Sequence, residues 1–264
     1  MTSIGLRSDL VVPLGDGGRI PLLGFGTWQL RGREAYEATR WALEAGYRHI
    51  DTATGYGNEA EVGAALRDSG VPREEVFITT KMPPDHVGRE RRTLEESLAK
   101  LGTDDVDLWL VHWPPGGTAG VDSWRAFIEM RERGLARAIG VSNYSLAQID
   151  ELTQATGATP AVNQIKWSPF QFDRAMLDGC RSRGVVVEGY SPFRAARLDH
   201  PVLRRIAEEH GKTPAQIIVR WHIQHRVVVI PKSARRDRIV ANIDVLDFAL
   251  APDEMAALDE LGHG

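Results

Sequence analysis

Side chains suited to proton transfer stand at the ends of consecutive apolar segments of this sequence. Asp51, Lys81 and His112 each end such a segment, and Tyr56 follows the first of them between two glycines. A free tyrosine transfers protons poorly near neutral pH because its pKa is about 10. A nearby ammonium lowers that pKa, and a carboxylate keeps the ammonium charged in a partly dry site. Together with a histidine that hydrogen-bonds the substrate oxygen, these residues predict a device that protonates an oxygen as charge develops on it.

Each of these four residues also has a non-catalytic interpretation. Asp51 alone is typical of a turn cap, Lys81 of a solvated strand end, and His112 of a satisfied histidine at a rim. Tyr56 alone is typical of a loop anchor. Their repetition at consecutive strand ends favours catalysis, because neighbouring strands lie about 4.8 Å apart and bring such ends together.

Short β-branched segments alternate with longer amphipathic ones, which predicts parallel strands joined by helices. The predicted strands are residues 23–26, 48–51, 76–81, 106–112, 136–141, 161–164, 185–190 and 227–230. Eight such units favour an α/β fold of the (β/α)8 TIM barrel type, with chemistry at the C-terminal strand ends. A doubly wound sheet would need a G-x-G-x-x-G turn, and Gly24-Phe-Gly26 lacks the third glycine. We therefore predict a single barrel domain over residues 1–264.

Local signals predict the elements around the strands. Residues 10–20 place turn residues between two apolar runs, which indicates an N-terminal β-hairpin. Residues 34–45 have helical apolar spacing and stop at Gly46. Thr213-Pro-Ala-Gln216 has the form of a capping box with proline at the first helical position, so we expect a helix from there toward Gln224.

Composition excludes several classes of partner. The net charge of −4 and pI of 6.1 argue against nucleic acid or an anionic membrane as the main partner. No run approaches the ~20 apolar residues that a membrane span needs, and the N-terminus has no signal-like stretch. Cys180 is the only cysteine, which excludes an intramolecular disulfide and fits a reducing compartment, the cytoplasm. His222 and His225 have helical spacing but lack a partner at ligand spacing, so no metal site is predicted.

An ordered set of motifs runs through almost the whole chain. Its members are Gly24-Phe-Gly-Thr-Trp28, Gly46-Tyr-Arg-His-Ile-Asp-Thr-Ala53, Tyr56-Gly-Asn-Glu59, Ile78-Thr-Thr-Lys81, Asp107-Leu-Trp-Leu-Val-His-Trp-Pro114, Ile139-Gly-Val-Ser-Asn143, Asn163-Gln164, Tyr190-Ser-Pro192 and Ile230-Pro-Lys-Ser233. Through them the sequence resembles the aldo-keto reductase family and is similar to its short bacterial members of the 2,5-diketogluconate reductase type. The resemblance implies an NADPH-dependent oxidoreductase that reduces aldehydes or ketones, small carbonyl molecules, to alcohols.

The same resemblance implies roles for individual residues. Tyr56 would be the general acid, tuned by Lys81 and, through it, Asp51, and His112 would orient the carbonyl. Ser142, Asn143 and Gln164 would meet the nicotinamide carboxamide, Tyr190 would stack on its ring, and Ser191 and Phe193 would lie along the pyrophosphate. The complete set of implied cofactor contacts is Gly26, Thr27, Trp28, Asp51, Ser142, Asn143, Gln164, Tyr190, Ser191, Phe193, Lys232, Ser233, Arg238 and Asn242. Trp28, His112 and Trp113 would line the substrate pocket.

The basic stretch at residues 232–238 bears on the choice of nicotinamide. Charge alone would fit a solvated surface, but this stretch follows a strand and opens a predicted helix, where the helix dipole disfavours cations. Lys232, Arg235, Arg236 and Arg238 are better explained by a bound anion, the 2′-phosphate of NADP(H), with Ser233 as an additional donor. We therefore expect NADPH to be preferred over NADH.

Three departures from the family pattern affect these expectations. Ala241 replaces a glutamate that contacts adenine, so the adenine contacts should be thinner. Phe193-Arg194 replaces Leu-Gly, and Arg194 either pairs with the pyrophosphate or faces solvent. Relatives usually continue beyond Leu261-Gly-His-Gly264 with a loop over the substrate, so a more open pocket is expected. The physiological substrate, and whether the protein is a monomer or a weak oligomer, are not predicted.

Two other classes of barrel protein remain as alternatives. A metal-dependent hydrolase should carry several histidines and carboxylates at its strand ends, where this chain has Asp51 and His112. A regulatory barrel that senses nucleotide would bind NADPH tightly and turn it over slowly.

Overall fold

A two-stranded hairpin opens the part of the chain that the structure describes. The computed structural model describes residues 10–15, 18–194 and 196–263. Strands β1 (Val11–Pro13) and β2 (Arg19–Pro21) pair in an antiparallel manner, with Val12 opposite Ile20. The predicted N-terminal hairpin is therefore confirmed, while Asp16 and Gly17 of its predicted turn lie outside the described residues.

Eight parallel strands follow the hairpin within the described residues. They are β3 (Phe25–Gly26), β4 (His49–Asp51), β5 (Phe77–Met82), β6 (Val106–Val111), β7 (Ala136–Ser142), β8 (Val162–Lys166), β9 (Val186–Tyr190) and β10 (Val228–Val229). Each strand pairs with the next one along the chain. The first and last strands also meet, because Leu23 forms a parallel bridge with Val229 and the Gly24 amide donates to the Val229 carbonyl at 2.9 Å. The sheet therefore closes, and the predicted (β/α)8 TIM barrel is confirmed.

Helices connect and surround these strands. They are α1 (Gly32–Ala45), α2 (Glu59–Asp68), α3 (Glu90–Leu101), α4 (Val121–Glu132), α5 (Leu146–Thr156), α6 (Arg174–Ser182), α7 (Pro201–His210), α8 (Pro214–Gln224), α9 (Arg236–Ile243) and α10 (Pro252–Asp259). The predicted capping box opens α8: the Thr213 amide donates to Gln216 Oε1 at 2.9 Å, and Thr213 Oγ1 accepts from the Gln216 amide at 3.3 Å. Helix α1 ends at Gly46, whose φ of 104° suits a residue without a β-carbon. In the described part of the chain, every helix is too short or too polar to cross a bilayer.

The strand ends differ from their predicted positions by one or two residues. Strand β5 runs one residue past Lys81 to Met82, directly before Pro83, whose missing N–H cannot continue a ladder. Strand β6 ends at Val111, but the amide of His112 still donates to the Met82 carbonyl at 3.0 Å. The backbone that carries His112 is therefore held as firmly as the strand itself.

The main hydrophobic core lies between the barrel and its helices. The ring of Trp109 in β6 stacks on Phe127 of α4 with centroids 3.6 Å apart, and Trp124 adds a second stacked ring. All three side chains are fully buried, and burial of a large aromatic side chain contributes roughly 2 to 3 kcal/mol of stability. This packing fixes β6, and with it the backbone that leads to His112.

Candidate active site

A cavity of about 660 Å³ opens at the C-terminal ends of the barrel strands. Residues from the ends of β3, β4, β6, β7, β8, β9 and the segment after β10 line it. The wall includes Tyr56, His112, Trp113, Asn143, Tyr190 and Lys232. This is the end of a (β/α)8 barrel at which ligands bind.

Asp51, Tyr56 and Lys81 meet at the floor of this cavity. Lys81 Nζ donates to Asp51 Oδ1 at 2.7 Å and to the carbonyl of Thr52 at 2.8 Å, and it lies 3.3 Å from the hydroxyl of Tyr56. Lys81 has no exposed surface. Tyr56 ends a short 3-10 turn, Thr54–Tyr56, and Gly57 then leaves it with a left-handed φ of 65°. The ring of His112 packs edge-to-face on the Tyr56 ring, with centroids 5.6 Å apart. The structure therefore brings the four predicted residues together.

Burial and charge set the proton affinities of these groups. Burial raises the pKa of Tyr56 to about 12, although Lys81 acts to lower it. The net direction is opposite to the lowering that the sequence predicts, because loss of solvation outweighs the attraction of the ammonium. Burial disfavours the charged form of Lys81, but Asp51 and Tyr56 more than offset it and raise its pKa. Lys81 is therefore charged at neutral pH.

The imidazole of His112 is neutral at neutral pH. Burial, together with the nearby Lys81 ammonium, lowers the pKa of His112 to about 3. A neutral imidazole keeps one N–H, so His112 can donate a single hydrogen bond to an oxygen in the cavity.

Asp51 is held from both sides of the barrel. Its Oδ1 accepts from Lys81, and its Oδ2 accepts from the side-chain amide of Gln164 at 2.8 Å. Gln164 lies at the end of β8, on the far side of the cavity. One N–H of its side-chain amide is therefore used by Asp51, which leaves the second N–H and the side-chain carbonyl oxygen for other partners.

A second hydrogen-bonded network joins the ends of β7, β8 and β9. The Ser142 hydroxyl donates to the main-chain carbonyl of Gln164 at 2.8 Å and accepts from Asn143 Nδ2 at 2.9 Å. The Tyr190 hydroxyl donates to Asn143 Oδ1 at 2.9 Å. Asn143 itself has a left-handed φ of 64°. This network brings the residues of the predicted carboxamide site together and fixes the tilt of the Tyr190 ring. Ser191 and Phe193 follow it in the cavity wall.

Two of the four basic residues in the stretch after β10 already pair with carboxylates of the protein. Arg235 pairs with Asp237 at 2.6 Å, and Arg236 pairs with Glu44 of α1 at 3.3 Å. Among the residues that the structure describes, Lys232 and Arg238 are the basic members of this stretch for which no carboxylate lies within ion-pair distance.

Two polar residues predicted to contact the cofactor, Ser233 and Asn242, lie within this stretch and just after it. Ser233 Oγ accepts from the Arg235 amide at 3.0 Å, and Asn242 is buried on α9. Lys232 lines the cavity, so the positive charge continues from the barrel mouth toward the N-terminus of α9.

The three residues predicted as contacts at the end of β3 differ from one another in burial and in partners. A β-carbon on Gly26 would lie 2.8 Å from the carbonyl of Ile230, so barrel closure already requires glycine there. Thr27 is fully buried and donates to the Asp51 carbonyl at 2.9 Å. Trp28 lines the cavity and is 37% exposed, and Trp113, 48% exposed, lines it as well. Within this site, Trp28 and Trp113 therefore offer the larger accessible apolar surfaces.

Arg194 contacts the cavity wall. Its guanidinium lies 4.8 Å from the centre of the Trp28 ring and lines the cavity with it. A cation over an indole face is an attractive contact. Arg194 is exposed to solvent and also contacts Trp28, while its pairing with a pyrophosphate stays a prediction.

Two residues that the sequence prediction did not single out support the site. Asn58 Nδ2 donates to the carbonyls of Thr27 and Leu30, and its Oδ1 accepts from Thr52, so it ties together the loops that follow β3 and β4. Glu188 of β9 is fully buried beneath Tyr190. A glutamate inside the apolar run Val185-Val-Val-Glu188 was the available signal, because buried carboxyl groups are rare.

No group of three or more potential metal ligands occurs among the described residues. The ring of His222 contacts the Ile218 carbonyl through Nδ1 at 2.8 Å. His225 contacts Asp259 Oδ1 through Nε2 at 2.7 Å. Both histidines are therefore engaged in helix packing.

Comparisons with known proteins give matches over almost the whole chain. The model of the Aldo/keto reductase family matches residues 22–263. The chain is 44% identical to morphine 6-dehydrogenase of Pseudomonas putida over 271 residues, with 96% of this chain and 92% of that protein covered. It is 42% identical to methylglyoxal reductase DkgA of Escherichia coli (strain K12) over 263 residues, with 98% and 96% covered. An aldo-keto reductase of Bombyx mori, solved in complex with NADP, shares 36% identity and a TM-score of 0.87, with 95% of this chain and 92% of that chain covered.

The barrel and these matches define an oxidoreductase. The chain belongs to the aldo/keto reductase family, as its motifs predict.

Proposed function

We propose that this protein is an NADPH-dependent reductase that converts aldehydes or ketones to alcohols, with Tyr56 as the proton donor. The observation that carries the proposal is the contact of 3.3 Å between the buried Lys81 ammonium and the Tyr56 hydroxyl at the floor of an open cavity. Membership of the family supports carbonyl reduction, and the Bombyx mori relative solved with NADP supports the choice of cofactor.

The residues present fit an extended dinucleotide. The cavity is continuous from Tyr56 and Tyr190 to Lys232, and Arg238 lies beyond it on α9. Lys232 and Arg238 have no carboxylate partner among the described residues and are free to pair with a phosphate. When bound, the reduced nicotinamide supplies a hydride. Tyr190 provides an aromatic face for its ring, and Asn143 and Gln164 provide amide groups for its carboxamide.

Tyr56 would supply the proton in the same reaction. As the carbonyl carbon gains a C–H bond, its oxygen gains negative charge and takes the phenol proton, which leaves a phenolate on Tyr56. Lys81 stabilises that phenolate across 3.3 Å, and Asp51 keeps Lys81 charged through its contact of 2.7 Å. Solvent then returns the proton to Tyr56. The high pKa of Tyr56 means that it holds its proton until charge develops on the substrate.

His112 would position the carbonyl group. Its neutral imidazole donates a hydrogen bond to the carbonyl oxygen and so polarises the bond that is reduced. Trp28 and Trp113 would enclose the rest of the substrate with apolar surface.

A steady-state assay tests the proposed activity. NADPH oxidation is followed with a panel of aldehydes and ketones, with and without a chelator. Turnover that survives the chelator supports the reductase. Tight NADPH binding without turnover of any carbonyl would favour the nucleotide-sensing alternative, and loss of NADPH oxidation in the chelator would contradict the proposed metal-free reaction.

A further inference from the structure

A carboxyl group lies within the barrel below Asp51, Tyr56, Lys81 and His112, on Glu188 of β9. Glu188 precedes Tyr190 by two residues and pairs in register with Gln164 of β8, so its side chain shares the inner face of the strand with the site. The side chain has no exposed surface. Among the described residues, neither of its carboxyl oxygens accepts a hydrogen bond of good geometry, although the side chain of Gln164 lies near enough to act on it. A permanent charge without a partner is unfavourable in such a place.

The histidines around Glu188 do not neutralise it. His49 Nε2 lies 3.6 Å from Glu188 Oε1 and 3.1 Å from the hydroxyl of Thr79. Burial lowers the pKa of His49 to about 3, so the two side chains do not form an ion pair at neutral pH. His222 of α8 lies behind Gly189, and burial lowers its pKa to about 4.

The charged neighbours of Glu188 belong to the active site. Burial, and then the Asp51 carboxylate, raise the pKa of Glu188 to about 8, while Gln164 and Lys81 act in the opposite direction. Glu188 is thus a neutral acid at neutral pH and ionises at mildly alkaline pH. Its charge in turn acts on the Tyr56 phenol and makes loss of the phenol proton harder.

We propose that Glu188 is a positioning residue that sets the net charge of the buried group Asp51, Lys81 and Glu188, and thereby the strength of Tyr56 as a proton donor. This inference rests on the proposed role of Tyr56. With Glu188 neutral, Asp51 and Lys81 balance each other, and a phenolate can form beside the ammonium. With Glu188 ionised, the group carries an excess negative charge, which disfavours the phenolate and slows proton donation.

Single-turnover reduction of one aldehyde by enzyme saturated with NADPH tests the proposal. The rate is measured from about pH 7 to about pH 10, where Tyr56 keeps its proton. In the wild type we expect the rate to fall on the order of threefold as Glu188 ionises. The fall is modest because only part of the increase in the pKa of Tyr56 raises the barrier to proton transfer. Glu188→Gln carries no charge at any pH, so its rate should not change over this range. Glu188→Asp keeps a carboxyl group, so its rate should again fall as pH rises.

A wild-type rate that is flat over this range, or a Glu188→Gln rate that falls as the wild type does, overturns the proposal. If Glu188→Gln does not fold, infrared difference spectra of the wild type decide it. The band of a protonated carboxyl should disappear as pH rises through about 8, and a band that persists to about pH 10 refutes the assignment. Tyr56→Phe separates the two proposals: if it still reduces the aldehyde, the proposed function fails. If it is inactive while Glu188→Gln retains the fall, only the inference about Glu188 fails.

Discussion

The ammonium of Lys81 lies 3.3 Å from the phenol oxygen of Tyr56, and both groups are held below the open mouth of the barrel. The contact joins a residue at the end of β5 to one on the loop after β4, so it depends on the parallel pairing of these two strands. Its consequences for activity and stability can be measured separately.

Tyr56→Phe removes the proposed proton donor and little else. We expect kcat for carbonyl reduction to fall about 10²- to 10⁴-fold, the usual contribution of a general acid. NADPH affinity should stay close to that of the wild type, because the hydroxyl is directed at the substrate oxygen. Stopped-flow reduction and a fluorescence titration with NADPH measure the two quantities. Turnover equal to that of the wild type would remove Tyr56 from the proposed role.

Lys81→Met should damage both activity and stability. Asp51 would be left as a buried carboxylate without its cation, which typically destabilises a fold by about 3 to 5 kcal/mol. Urea unfolding measures this loss. The matched variant Lys81→Met/Asp51→Asn removes both charges and should recover much of the stability without recovering activity. If the double variant is as unstable as Lys81→Met, the ion pair is not the cause.

Stability should fall as pH drops below about 6.5. In the folded protein, burial lowers the pKa of His49 to about 3 and that of His222 to about 4. Between those values and about 6.5 the unfolded chain binds protons that the folded protein does not, so the free energy of unfolding rises with pH across this window. From about pH 6.5 to about pH 5 each of these histidines contributes a loss of about 1.6 kcal/mol, while Glu188, whose pKa burial raises to about 8, contributes a gain of similar size. Urea unfolding of the wild type and of His222→Gln measures it, and the variant should show the flatter dependence.

The cofactor preference should depend on Lys232 and Arg238, which have no carboxylate partner among the residues that the structure describes. Lys232→Met and Arg238→Met should each raise KM for NADPH about 10-fold, since a charge-assisted hydrogen bond contributes about 1.5 to 3 kcal/mol. KM for NADH should change little. Arg235→Met is the matched control, because Arg235 is already paired with Asp237 and its loss should have a smaller effect. Equal effects of Arg235→Met and Arg238→Met, or a wild type that uses NADH as efficiently as NADPH, would contradict the proposed phosphate site.

The sequence was informative where function depends on local pattern. Alternating apolar segments predicted the eight strands and the polar residues at their ends, because period and composition are properties of short stretches. The surroundings of those residues depend on distant parts of the chain. Gln164 reaches Asp51 and Arg236 reaches Glu44 only after the barrel closes. The rise in the pKa of Tyr56 has the same origin, since burial is a property of the whole fold. The single-domain extent and the cytoplasmic location stay predictions.

Closure of the barrel between Leu23 and Val229 also constrains synthesis of the enzyme. The loop that bears Trp28 and the segment that bears Lys232 lie on opposite sides of this seam and are brought side by side only when it forms. A nascent chain that has not yet released its last strand from the ribosome therefore has all four predicted catalytic residues but only part of the groove for the dinucleotide. Activity should begin late in translation, as a single event rather than by degrees.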